Sequence, residues 1–216
     1  MKVILFTIPI VIGIIIGIIF STSIQLESEN SSLLNKKNLI EGSTILGEKN
    51  AEIMIVEFGD YQCTFCYKFH QETFDKIKSN YIDDGVVSYV YRDFPLNGQL
   101  SKMASEASYC AQKQEKFWLY HDTLFNNWAG ENTGWITKKI LISFANDLEL
   151  DIEKFEKCLT NMEFQDKVLK NEQYARSINI DATPSFLIFD NETVYRIIGA
   201  QPYETFEKTI EELRRT

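Results

Sequence analysis

Hydrophobic positions along the chain fall into runs of three kinds, and their periods predict the elements. Residues 3–20 are uncharged and almost wholly aliphatic, with only Thr7 and Pro9 interrupting, near the ~20 residues a helix needs to span a bilayer. Residues 53–58, Ile-Met-Ile-Val-Glu-Phe, make a short and nearly continuous apolar run, as expected of a strand covered on both faces. Beyond it Cys66, Phe69, Thr73, Phe74 and Ile77 recur at helical spacing, with Lys68, Glu72, Asp75, Lys76 and Lys78 off that face. The turn Asp83-Asp84-Gly85 leads into a second apolar run over 86–91, ended by Arg92-Asp93-Phe94-Pro95. Strand, helix and strand of these lengths predict a βαβ unit with parallel strands.

From 101 to 177 the period becomes wholly helical and no proline interrupts it. Helices are predicted over 101–114, 116–127, 136–147, 151–160 and 163–177. Two strand-like runs, 185–189 and 193–198, then flank Asp190-Asn191-Glu192 and predict an antiparallel hairpin. An amphipathic helix over 203–214 closes the chain. Ahead of all this, residues 21–49 are rich in Ser, Asn, Glu and Lys and read as a tether, with an early edge strand near 44–46.

Composition narrows the function classes. The net charge is −9 over 216 residues, which argues against nucleic acid as a partner, because phosphate binding needs clustered Lys and Arg. Lys2 and the amino terminus are the only positive charges beside the apolar stretch, so the bulk of the protein is placed outside the cytoplasm. That stretch reads as a signal anchor, with a cleavable signal as the alternative because Ser21 and Ser23 give a small-x-small site. The protein is then membrane-anchored with its folded part outside, or secreted if the segment is removed. No Gly-rich phosphate loop and no Ser-His-Asp arrangement stands in the sequence, and no organic cofactor is implied.

The chemistry is concentrated at Cys63-Thr64-Phe65-Cys66, where the first strand runs into the helix. A cysteine at a helix N-terminus meets unpaired backbone N–H groups and the positive end of the helix dipole, and both favour thiolate over thiol. Cysteines so placed in Cys-x-x-Cys motifs have pKa values lowered from ~8.5 to roughly 3.5–7.5. Cys63 is the candidate nucleophile, and Cys66, one turn inside, the candidate resolving thiol. The other two cysteines, Cys110 and Cys158, both lie in the helical block. They read as a structural disulfide stapling that block, or as two separate buried thiols; a four-cysteine zinc site is the weakest reading, since this second pair lacks short spacing. His70 and His121 have no metal-ligand spacing to each other and read as ordinary helical residues, and Phe117, Trp118, Phe125 and Trp128 as core or apolar lining. No metal is predicted.

Four motifs together, Val56-Glu57-Phe58-Gly59-Asp60-Tyr61-Gln62-Cys63-Thr64-Phe65-Cys66, Tyr91-Arg92-Asp93-Phe94-Pro95-Leu96, Ala182-Thr183-Pro184-Ser185-Phe186 and Ile198-Gly199-Ala200-Gln201-Pro202-Tyr203, resemble the DsbA-like thioredoxin family of thiol–disulfide oxidoreductases. The likeness runs from about Ile45 to the C-terminus. It implies an α/β thioredoxin fold, β-α-β then β-β-α, with an all-helical domain inserted between the halves and the N-terminal anchor ahead of it. In that frame residues 1–23 are the anchor or signal, 24–43 the tether, 44–97 and 179–216 the two halves, and 98–178 the insertion. By resemblance Cys63 is the nucleophile, Cys66 the resolving cysteine and Pro184 the cis-proline, whose loop with Thr183 binds substrate backbone like an added strand. The alternative for Pro184 is an ordinary trans proline opening a strand.

Glu57 lies six residues before Cys63, at the position of the family's buried acid. A carboxylate in an apolar strand is costly to bury without a role or partner; buried, its pKa would rise and it could relay the proton of Cys66. The alternative is a strand-end carboxylate in solvent. Thr64-Phe65 departs from the Pro-His of strongly oxidising relatives, which leaves the potential open across ~150 mV. The reading is an extracytoplasmic oxidoreductase that introduces disulfides into unfolded or reduced proteins, acting as a monomer and reoxidised by a membrane quinone-linked oxidase resembling DsbB or the vitamin K epoxide reductase family. A reductase or an isomerase of the same fold is the alternative, and a substrate-holding chaperone or adhesion module without redox turnover is the alternative from another class.

Overall fold

The computed structural model describes residues 29–30 and 36–215. The apolar stretch 3–20, and the anchor or signal read from it, lies outside the described residues, as does most of the tether. Among the described residues no helix is long and apolar enough to cross a membrane.

One mixed sheet organises the fold. Its strands are β1 (Glu29–Asn30), β2 (Ile45–Leu46), β3 (Ile53–Gly59), β4 (Val87–Asp93), β5 (Ser185–Phe189) and β6 (Thr193–Ile198), in the order β1-β6-β5-β3-β4-β2. β3 runs parallel to β4 from Ile53↔Val87 to Gly59↔Asp93, the βαβ pairing expected from the two apolar runs. On its other side β3 pairs antiparallel with β5, and β5 with β6. β3 is central, which is why its sequence is apolar almost throughout: Ile53 and Ile55 pack on one face of the sheet and Val56 and Phe58 on the other. Glu57 shares the face of Ile53 and Ile55, because side chains alternate along a strand.

The helix after β3, α2, spans 64–82 and is not uniform. Its α-helical turns at Thr64–Phe69 and Asp75–Ile77 alternate with π turns at His70–Phe74 and Lys78–Ile82. His70, four positions after Cys66, joins Phe69, Thr73, Phe74 and Ile77 among the buried residues. Phe69 meets Phe186 of β5 and Phe206 of the C-terminal helix at centroid distances of 4.5 and 5.3 Å. That closing helix, α8, is Tyr203–Leu213.

Five helices lie between β4 and β5: α3 (Gln99–Gln112), α4 (Phe117–Asn126), α5 (Lys138–Asp147), α6 (Ile152–Thr160) and α7 (Gln165–Ser177). They correspond to the five predicted helices with ends moved by a few residues. Their core includes Phe117, Leu124, Phe125, Leu141 and Phe155, and it is continuous with Tyr61, Cys63, Cys66 and Tyr91 from the sheet half. Cys110 of α3 and Cys158 of α6 are joined by a disulfide.

Two segments differ from the sequence reading. β4 runs on through Arg92 and Asp93, which were expected to end it. Both charges are accommodated: Arg92 donates to the carbonyls of Asn38 and Leu39 and to Asn171, and Asp93 accepts from Tyr109 and from Asn171 Nδ2 at 2.7 Å. The stretch read as a tether contains a short helix, α1 (Lys36–Ile40), whose Leu39 is fully buried against Val56, Phe58 and Val90. Burying one leucine is worth about 1.5–3 kcal/mol, and the Arg92 bonds fix the adjoining carbonyls.

Candidate active site

The site begins where β3 ends. A Cβ on Gly59 would come within 2.5 Å of Cε2 of Tyr91, so only glycine lets this strand end lie against that ring. The chain then turns on Asp60, whose carboxylate accepts from the N–H groups of Gln62 and Asn97, each at 2.7 Å. Its carbonyl accepts from Cys63 N at 3.0 Å. Cys63 is thereby placed as the N-cap of α2, in extended conformation, with its sulfur accepting from the Cys66 N–H at 3.4 Å.

The two sulfurs differ in environment. Cys66 is fully enclosed, whereas Cys63 keeps 6% of its surface. The Cys63 thiol is lowered to about 6: a hydrogen bond from the Cys66 thiol is the largest cause, opposed by burial and reinforced by the Thr183 side chain and the N–H groups of Cys66 and Phe65. Cys66 is pushed well above the ordinary thiol range by burial first, then by its hydrogen bond to Cys63 and by the charges of Cys63 and Glu57, with only the Asp60 N–H opposing. A thiolate therefore forms at the more accessible sulfur.

The Thr183–Pro184 peptide is cis, and the loop that contains it opens β5. The Thr183 carbonyl lies 3.4 Å from Cys63 Sγ and accepts from the thiol. Ionisation removes that donor while leaving the threonine hydroxyl as a thiolate-favouring contact. Glu57 is 2% exposed and accepts a hydrogen bond from Tyr89 on its Oε2. Its Oε1 has no partner among the described residues. Burial raises its carboxyl to about 8, against the Tyr89 bond, with the Cys63 charge adding to the rise. All five predicted residues, Cys63, Cys66, Glu57, Thr183 and Pro184, belong to one locality, while Cys110 and Cys158 sit apart in the insertion.

Several neighbours were missed. Tyr89 was legible in principle, since it alternates with Val87 and Tyr91 on the β4 face beside Glu57. Trp128 gave no such signal: its indole N–H donates to the Gln62 carbonyl at 3.0 Å, and its ring stacks on Tyr67 at 4.5 Å and 9°. Nor did Glu131, whose Oε2 accepts from the backbone N–H of Thr64 at 3.1 Å and from its hydroxyl at 3.0 Å.

The two histidines, read as unrelated helical residues, are brought together. His70 Nε2 lies 3.3 Å from Asp122 Oδ1, and His121 Nδ1 lies 3.1 Å from the Tyr61 hydroxyl. Donor atoms of His70, His121 and Asp122 fall within 4.8 Å of one another, a looser set than bonds of ~2 Å to a shared zinc would draw together. The His70 ring stacks with Phe74 and Phe125 and the His121 ring meets Phe125 edge-on, and burial and His70 hold His121 well below the ordinary histidine range.

Known proteins resemble this chain in sequence and in overall fold. A thioredoxin family model matches residues 40–212. The disulfide bond formation protein D of Bacillus subtilis is 30% identical over 175 residues, which is 80% of this chain and 77% of the relative. The crystal structure of oxidised BdbD from Bacillus subtilis superposes with a TM-score of 0.74 at 30% identity, covering 82% of this chain and 95% of that one. That of alpha-DsbA1 from Wolbachia pipientis does so with a TM-score of 0.72 at 27% identity, covering 80% and 91%. The fold is the α/β thioredoxin fold with an inserted helical region.

Proposed function

This chain belongs to the DsbA-like thioredoxin-fold family of disulfide bond formation proteins, a thiol–disulfide oxidoreductase with a Cys63–Cys66 pair, and we propose that the pair donates its disulfide to reduced proteins outside the cytoplasm. The observation that carries the direction is the asymmetry of the two thiols. A Cys63 thiolate favoured by its surroundings stabilises the dithiol form, which makes the disulfide the better oxidant.

In the forward reaction a substrate thiolate attacks Cys63 Sγ, the Cys63–Cys66 bond breaks, and a mixed disulfide forms. A second thiolate of the substrate then attacks the substrate sulfur in that bond, forming the substrate disulfide and releasing Cys63. The electron pair and charge stay on Cys63, while Cys66 takes up a proton. Cys66 resolves mixed disulfides in the reverse sense, when the pair is recharged. Glu57 is suited to relay the Cys66 proton, because a carboxyl titrating near 8 exchanges protons readily at neutral pH.

Substrate backbone would dock along Thr183 and Pro184, beside Cys63. Phe65 and Ile198, exposed by 59% and 54%, supply apolar surface there, since Phe65 lies within the motif and Ile198 pairs with Ser185. A rim of that kind suits unfolded chains with exposed apolar side chains. A membrane quinone-linked oxidase, resembling DsbB or the vitamin K epoxide reductase family, would recharge the pair, and the apolar segment 3–20 would anchor the protein beside it.

The deciding experiment is the equilibrium reduction potential of Cys63–Cys66 against a glutathione buffer, with Cys110 and Cys158 intact. A value near about −120 mV supports disulfide donation, and one near about −270 mV overturns it in favour of reduction.

A further inference from the structure

The loop between α4 and α5 is fastened to the redox motif at three points. Trp128 holds the Gln62 carbonyl and stacks on Tyr67, and Glu131 takes both the N–H and the hydroxyl of Thr64. The loop backbone is shaped to present that carboxylate: Gly130 at φ 109°, Asn132 at φ 55° and Gly134 at φ 79° surround it. At Gly130 a side chain would also strike Thr133 Cγ2 at 2.6 Å.

Thr64 is the first residue of α2, and its amide nitrogen is bonded to the Cys63 carbonyl carbon. Glu131 therefore sets a negative charge at the helix end that otherwise favours the Cys63 thiolate, and takes up one of its free N–H groups. Only the dithiol state carries a charge on Cys63, so the carboxylate acts on one side of the redox equilibrium.

We infer that Glu131 is a positioning residue of the redox centre: it latches the helical insertion to Thr64 and, by its charge, holds the disulfide less oxidising than the bare helix N-terminus would make it. This rests on Cys63 being the exchanging sulfur. The equilibrium is protein dithiol plus glutathione disulfide giving protein disulfide plus two glutathione thiols; one S–S bond forms, one breaks, and two electrons and two protons pass to glutathione.

The test compares the equilibrium constants of the full chain with Glu131, Glu131→Gln and Glu131→Lys. Gln keeps an oxygen for the Thr64 N–H and removes the charge. The expected shift is about threefold toward dithiol for E131Q, by the size of an exposed charge at a helix end, and further in the same direction for E131K. The Cys63 thiolate absorbance at 240 nm should titrate at lower pH in the same order, and the differences should shrink in 1 M salt. E156Q, a charge change elsewhere in the insertion, should move nothing. Equal constants for Glu, Gln and Lys in folded proteins, or the reverse order, would overturn the inference. The absolute wild-type potential judges the donor reading separately, because this inference depends only on differences between variants.

Discussion

The phenol of Tyr89 donates to Oε2 of Glu57 in the buried floor of the redox site, while Oε1 of the same carboxyl has no partner among the described residues. One oxygen is anchored and the other is free to hold a proton. Glu57→Gln keeps the shape and removes the titration, which on the proposed relay role deprives Cys66 of its proton acceptor. Resolution of a mixed disulfide at Cys63 by Cys66 should slow at least about tenfold, below the usual worth of a positioned acid–base group. Stopped-flow tryptophan fluorescence with a mixed-disulfide peptide would show it; an unchanged rate would remove Glu57 from the mechanism.

The same carboxyl predicts how stability depends on pH. Glu57 titrates at about 8 in the folded chain against an ordinary 4.5, so between those values the folded state holds a proton that the unfolded state has lost. Its contribution is complete below pH 4.5 and disappears as pH rises through 8. Urea unfolding of the oxidised protein, whose redox cysteines do not titrate, should still give stability falling as pH rises above 4.5, because burial, the largest cause of the rise, does not depend on the Cys63 charge. Glu57→Gln should flatten the slope and be the more stable protein at pH 8.

Cys63 acts in the opposite sense. Its folded value of about 6 lies below the ordinary 9.0, so the reduced protein gains stability relative to the oxidised one as pH rises from 6 to 9, and loses it as pH falls through 6. Alkylation by iodoacetamide should follow a single titration near pH 6 at Cys63, with Cys66 silent. A midpoint near 9 would contradict the thiolate environment described above.

Thr183 contributes to that environment through its side chain, after the Cys66 hydrogen bond. Thr183→Val keeps the shape and the carbonyl but removes the hydroxyl. The Cys63 titration should move up by about one unit, the lower end of the worth of a hydrogen bond to a charged group, and the disulfide should become less oxidising. An unmoved titration would show that the backbone alone sets the thiolate.

The Cys110–Cys158 disulfide closes a loop with a sequence separation of 48, which limits the freedom of the unfolded insertion. Replacing both cysteines by alanine should cost about 4 kcal/mol on the chain-entropy account. Thermal unfolding of C110A/C158A should show the loss, with Cys63 alkylation unchanged at 25 °C. Full stability in the variant would assign the fold of the insertion to its apolar core alone.

Local pattern was enough for the elements themselves: the central strand from its nearly continuous apolar run, the five inserted helices from their period, and Cys63 at a helix N-terminus from the switch between periods. Those signals are local because a strand buried on both faces and an amphipathic helix each write their environment into consecutive residues. Glu57 was legible as an anomaly, a charge inside an apolar strand, and by its place six residues before Cys63. The sequence period could not disclose the π turns of α2, nor that β4 would bury Arg92 and Asp93, because their partners Asn38, Leu39, Tyr109 and Asn171 come from three other elements. Above all, Trp128 and Glu131 come from more than sixty positions beyond the motif they hold. The hydrogen bonds that couple the insertion to the redox pair arise only when the chain closes on itself, and tertiary structure alone decides them.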